Sequence, residues 1–203
     1  DWDGTLMDSV GRIVSSMKAV AKELALPNPS DIDVKDIIGL SLNEAAERLF
    51  PDACEHTKNK IKLAYKKHYI ELDKTPTPLF NYAHETLSAL KVSGKSLSIA
   101  TGKGREGLNQ VMAETDAEQY FIATRSADDC ASKPSPEMIQ TLLDELNILP
   151  EKAVMIGDSA LDMKMAKSAG IDRIGVSYGA HSIEKLNLYS PIAIIDCLSE
   201  LKP

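Results

Sequence analysis

Cysteine is scarce in this chain: Cys54, Cys130 and Cys197 are odd in number, far apart and in no Cys-x-x-Cys arrangement. That excludes a disulfide framework and a thiolate zinc site, and it fits a reducing cytoplasm. Long apolar runs are lacking too, since Ala153 to Ile156 and Ile192 to Ile195 are far too short to cross a bilayer. Nothing reads as a secretory signal, so no membrane partner is expected. Positive charge is in deficit: the net charge is -7 and the pI about 5.2. Nucleic-acid binding needs clustered Lys and Arg to release counterions, so nucleic acid is not an expected partner. An apolar strand is also missing before Asp1-Trp2-Asp3-Gly4-Thr5, and residues upstream of Asp1 are therefore expected.

What is present describes an ordinary globular chain of 203 residues, 43% hydrophobic and 26% charged, enough for one core with a sizeable insertion. From Val10 to Leu24 the apolar residues recur at helical spacing, with Ser9 as a cap and Pro27 beyond the end. Ser41-Leu42-Asn43-Glu44 reads as a capping box opening a helix to about Phe50, and a further helix is expected from Ala53 to about Leu72. Residues 9–76 thus read as wholly helical. The prolines of Thr75-Pro76-Thr77-Pro78 mark a boundary.

Beyond that boundary helix and strand patterns alternate. Strands are expected at Ser96 to Ala100, Tyr120 to Thr124, Ala153 to Ile156 and Arg173 to Val176, with helices near His84 to Val92, Glu106 to Ala113, from Ser135-Pro136, and at Leu161 to Ala169. The predicted fold class is α/β, a Rossmann-like parallel sheet with helices on both faces, formed by residues 1–8 and 77–203, and residues 9–76 are an inserted all-helical unit. Ligands of such sheets bind beyond the carboxyl ends of the strands.

Four segments follow strands or a suspected strand. In the first, Asp1 and Asp3 place two carboxylates near one another, with Gly4 permitting a sharp turn. A calcium loop is the rival reading, but it wants glycine at its sixth position and glutamate at its twelfth, where Leu6 and Arg12 stand. The second, Thr101-Gly102-Lys103, offers a hydroxyl and an approachable amide; alone it reads first as a helix cap and turn, with Lys103 solvated. The third puts Lys133 just before a proline-started helix, and a surface lysine is the default for it. In the fourth, an apolar strand delivers Asp158 to its end and Asp162 follows one helical turn later, a set of hard oxygen donors suited to magnesium.

Together, in this order, the four segments resemble the haloacid dehalogenase superfamily of phosphohydrolases, phosphoglycolate phosphatases above all. The resemblance implies Asp1 as nucleophile and Asp3 as acid and base. It implies magnesium (Mg2+) held by the Asp1 carboxylate, the Asp3 carbonyl and Asp158, with Asp162 supporting from behind. Thr101 and the Gly102 amide would grip the phosphoryl group, Lys133 rather than Lys103 would offset its charge, and the substrate would be a small phosphorylated metabolite. It implies that the helical unit is a cap closing over the site, in which Ile38 to Asn43 resembles a specificity loop as much as a plain turn. A phosphosugar mutase of the same fold and a non-catalytic phosphate-binding module are the alternatives. His56, His68, His84 and His181 are expected on surfaces or helix ends, the methionines in the core, and Arg105 and Arg125 in solvated or structural roles.

Overall fold

A computed structural model describes residues 1–202. The amino-terminal part is helical throughout its regular structure: α1 (Val10–Glu23), α2 (Asp31–Lys35), α3 (Leu42–Leu49) and α4 (Glu55–Lys67), which runs into a wider π-helical turn, His68–Leu72. These helices bury one another. Ile13, Met17 and Val20 of α1 meet Val34, Ala46, Phe50, Ile61 and Ala64, and among the described residues of the rest of the chain only Ala180 joins this buried cluster. An apolar stripe at three- and four-residue spacing has to be covered, and here it is covered from within the helical part.

The rest alternates. In chain order come α5 (Ala83–Val92), β1 (Ser98–Ala100), α6 (Arg105–Glu114), β2 (Ala123–Arg125), α7 (Glu137–Leu146), β3 (Val154–Gly157), α8 (Ala160–Ala169), β4 (Asp172–Val176), α9 (Ile183–Asn187) and β5 (Ala193–Ile195). All strand pairs are parallel: β1 with β2, and β3–β4–β5 in that order. The expected sheet is therefore present as a two-stranded and a three-stranded piece. Asp1 meets the β3 edge of the latter, its nitrogen donating to the Ile156 carbonyl at 2.9 Å.

Two buried clusters support these pieces. Trp2, Met7, Leu87, Ile99, Leu108 and Leu198 pack in one. Ala100, Met138, Leu142, Met155, Met165 and Ile171 pack in the other. The methionines expected in the core, Met17, Met112, Met138, Met163 and Met165, are all buried.

Several local expectations need correcting. Ser9 makes no capping bond to α1, because its hydroxyl is turned to Asp3. At α3 only half of the capping box forms, Ser41 accepting from the Glu44 amide. The strand expected at Tyr120 to Thr124 starts later, after a 3-10 turn at Glu118–Tyr120. Helices α2 and α9 and strand β5 were not anticipated. Among the described residues no helix is long and apolar enough to cross a membrane.

Candidate active site

The segment from Asp1 to Met7 is a tight turn. Trp2, fully buried, accepts the amides of Leu6 and Met7 on its carbonyl at 2.9 and 3.0 Å, and the Gly4 amide donates to Met7 at 2.8 Å. Gly4 has φ +81°, and a Cβ there would lie 2.1 Å from Asp158 Oδ2. The turn is thus open only to glycine, and it brings the first carboxylates against the end of β3. Thr5 adds a hydroxyl donated to Asp158 Oδ1 at 3.2 Å.

At the centre lies Lys133, fully buried, its Nζ 2.6 Å from Asp1 Oδ1 and 2.6 Å from Asp162 Oδ1. The default reading of Lys133 as a surface residue is thereby corrected: an ammonium out of water needs paired carboxylates, and two supply them. The other Asp162 oxygen accepts the Ser159 amide at 3.1 Å and the Ser159 hydroxyl at 2.6 Å, which makes Ser159 and Asp162 a reciprocal capping box on α8. Asp158 is fully buried, with Oδ2 accepting the Ala180 amide at 2.7 Å.

Asp1, Asp158 and Asp162 each present a carboxylate oxygen, all within 4.8 Å of one another. Three oxygen donors this close suit a hard divalent cation. The Asp3 carboxylate is not among them: Oδ1 accepts from Ser9 Oγ at 2.7 Å and Oδ2 lies 3.1 Å from Lys103 Nζ. Lys103, expected in solvent, has only 11% of its side chain exposed.

Burial pushes the Asp158 carboxyl up to about 7, with the Asp162 charge adding to it. Burial would raise Asp162 as well, but the Lys133 ammonium, the amino group of Asp1 and the Ser159 hydroxyl together outweigh it and hold Asp162 below the usual carboxylate range. The two groups act in different pH windows. A raised carboxyl binds its proton more tightly folded than unfolded, so stability falls as pH climbs from about 4 to about 7, where Asp158 ionises. Asp162 supports the fold above its unfolded value and loses that support only as pH falls below about 4. A metal-free sample should therefore melt at decreasing temperature as pH rises through that upper window. The stabilisation gained on adding magnesium should grow over the same range, because the ligand must shed its proton. Thermal melts at several pH values, with magnesium or with chelator, measure both trends; an increment independent of pH would count against Asp158 as a ligand.

Thr101, buried at the end of β1, accepts the Lys103 amide at 3.2 Å. At Gly102 a Cβ would lie 2.2 Å from the Gly39 carbonyl oxygen and 2.6 Å from that of Leu40. The loop between α2 and α3 therefore sits directly on this turn, and the Ser41 amide donates to Ser132 Oγ at 2.8 Å beside it. Gly102→Ala must displace backbone on one side. We expect it to cost about 1–3 kcal/mol, read as a shift in the urea midpoint, and to raise KM by loosening the loop.

A cavity of about 330 Å³ opens between the two parts, lined by Asp1, Asp3, Thr101 and Lys103 from one and Arg12 and Tyr69 from the other. That size suits a small ligand. His181, expected at a surface or helix end, is buried outside this cavity, where its Nδ1 accepts the Ala160 amide at 2.8 Å and its Nε2 faces Asp36 at 3.2 Å. Arg105 and Arg125 are structural, tied to Thr124 and Asp129 and to Thr141 and Glu145. The burial of the Lys103 side chain was not visible in the sequence; His181 does lie at a helix end, accepting the first amide of α8, but its burial was not foreseen. The capping box of Ser159 and Asp162 was not anticipated either, although the spacing Ser159-Ala160-Leu161-Asp162 could have shown it.

Parallel strands that end on a lysine-bridged cluster of aspartates, beside a small cavity lined also from the helical part, define an α/β protein whose charged side chains converge beyond the strand ends. The chain belongs to the haloacid dehalogenase-like hydrolases, whose family model matches residues 1–176. It is 28% identical to a phosphoglycolate phosphatase of Salmonella typhimurium, over 100% of this chain and 89% of that protein. It is 30% identical to a Dickeya dadantii protein named "Probable phosphatase IndB", over 99% and 89%. A Bacteroides fragilis crystal structure assigned to the haloacid dehalogenase-like hydrolases superposes with a TM-score of 0.89 at 27% identity, covering 98% of this chain and 96% of that one.

Proposed function

We propose that the protein is a magnesium-dependent phosphatase that hydrolyses a small organic phosphate monoester through an aspartyl-phosphate on Asp1. The observation that carries this reading is Lys133 buried between Asp1 and Asp162, with Asp158 in the same cluster. Lys133 takes up one oxygen of Asp1 and leaves the other to attack phosphorus.

As the Asp1–phosphorus bond forms and the bond to the leaving oxygen breaks, Asp3 gives that oxygen a proton. Asp3, now a carboxylate, takes a proton from water, whose oxygen attacks the same phosphorus and frees Asp1 and inorganic phosphate. Thr101 and the Gly102 amide hold the phosphoryl oxygens, and Lys133 offsets charge on nucleophile and phosphate, since this chemistry depends on positioning and electrostatics. Asp1, Asp158 and the Asp3 carbonyl would hold magnesium, with Asp162 behind them; when bound, the ion neutralises phosphoryl oxygens. The helical part, residues 9–76, acts as the cap that excludes bulk water.

Relatives named as phosphoglycolate phosphatases and a cavity of about 330 Å³ both favour a small substrate of phosphoglycolate type. The test is phosphate release from a metabolite panel that includes phosphoglycolate, with and without magnesium. Turnover that needs magnesium supports the reading. Phosphate returned to a sugar instead of water would make the protein a mutase, and phosphate bound without release would make it a binding module.

A further inference from the structure

Lys103 is a largely enclosed cation, its side chain 11% exposed, that the hydrolytic scheme leaves without a task. Among the described residues, Asp3 is the one carboxylate within salt-bridge distance of it. Its backbone is pinned on both sides, the amide donating to Thr101 Oγ1 at 3.2 Å and the carbonyl accepting the Ala127 amide at 3.0 Å. Its ammonium lies 5.0 Å from the centre of the Tyr69 ring, within the range of a cation held over an aromatic face. Tyr69 comes from the other part of the molecule, and it stands on the π-helical turn His68–Leu72. Such widened turns re-aim side chains and occur often at functional sites. Tyr69 also stacks on Tyr65 at 5.7 Å, and its hydroxyl lies beside the Lys103 ammonium, so both the ring and its polar end face that one cation.

We infer that Lys103 and Tyr69 are positioning residues for Asp3: Lys103 and Ser9 clamp its two carboxylate oxygens toward the leaving group, and the Tyr69 ring, supplied by the helical part, keeps Lys103 in place. Without Lys103, Asp3 would keep one anchor, Ser9 Oγ at 2.7 Å, and its other oxygen would be free to swing about that contact. The proton needed by the leaving oxygen would then be delivered from the wrong place. The helical part would thus complete the acid as well as cover the site. This inference rests on the phosphatase reading given above.

The test uses leaving-group dependence, because kcat/KM reports the steps up to transfer of phosphate to Asp1. An alkyl ester such as ethyl phosphate or phosphoglycolate needs a proton on its leaving oxygen, whereas p-nitrophenyl phosphate expels a stable anion without one. Lys103→Met should lower kcat/KM for the alkyl esters about 100-fold, the scale of a lost general acid, and for p-nitrophenyl phosphate only a few-fold. Lys103→Arg should recover most of the loss. Tyr69→Leu should show the same selective pattern at about 10-fold, and Tyr69→Phe, which keeps the ring, should lose less. Retained turnover of the aryl ester shows that each variant is folded. Equal losses on both ester types, or none on the alkyl esters, would overturn the inference while leaving the phosphatase reading in place. A wild-type protein that hydrolyses neither type with magnesium present would overturn both.

Discussion

Replacing Asp1 by Asn is expected to abolish turnover, by about a thousandfold or more, while leaving the protein folded. An amide oxygen still accepts from Lys133, so the contact at 2.6 Å survives in altered form. Lys133 also keeps a charged partner in Asp162, 2.6 Å away, so the substitution leaves no buried charge unpaired. The variant should therefore melt no lower than the wild type, and a large loss of activity would not be a loss of structure. Two measurements check this: phosphate release under saturating magnesium, and mass analysis of rapidly quenched samples for a phosphorylated peptide containing residue 1. Phosphate release that persists in the variant, or label at another residue, would remove Asp1 as nucleophile.

The second large effect is on stability. Lys133→Met leaves Asp1 and Asp162 facing each other in a region with 2% and 0% of their side chains exposed. Breaking a buried ionic set by removing one member costs about 3–5 kcal/mol, because the charges that remain have neither water nor partner. We expect a loss of that order in urea titrations, together with loss of activity. Pairing Lys133→Met with Asp162→Asn should restore part of the stability, since the double change removes the unpaired charge as well; non-additivity of this kind marks residues in direct contact. Magnesium should also restore part of it. An unchanged urea midpoint in Lys133→Met would contradict the bridge.

Much of this was legible in the sequence because the features concerned are local. The helical spacing in α1, the apolar strand ending at Asp158 and the four segments in order all lie within short windows, and the strand–helix alternation is regular. Three short elements escaped: α2 and α9 are too short to show a period, and the apolar run at β5 does not by itself distinguish strand from buried coil. The fate of Lys103 escaped for another reason. A lysine after Thr-Gly looks the same whether solvated or buried, and what decides it is Asp3 and Tyr69, both remote in sequence. His181 is a similar case, buried because the Ala160 amide needs an acceptor. Ser9 was misjudged as a cap because sequence shows that a hydroxyl is available but not whether it will accept an amide of α1 or donate to Asp3.

The capping box at the start of α8 has one more implication. Asp162 uses one carboxylate oxygen to close the first turn of a helix and the other to hold Lys133. The position of the lysine is therefore recorded in backbone hydrogen bonds rather than in a surface loop, and it is as steady as that turn. Fraying of α8 and drift of the ammonium become a single event, so amide exchange at Ser159 would act as a clock for how often the centre comes apart. A sequence drifting under selection cannot trade helix start for charge placement here, because one side chain serves both.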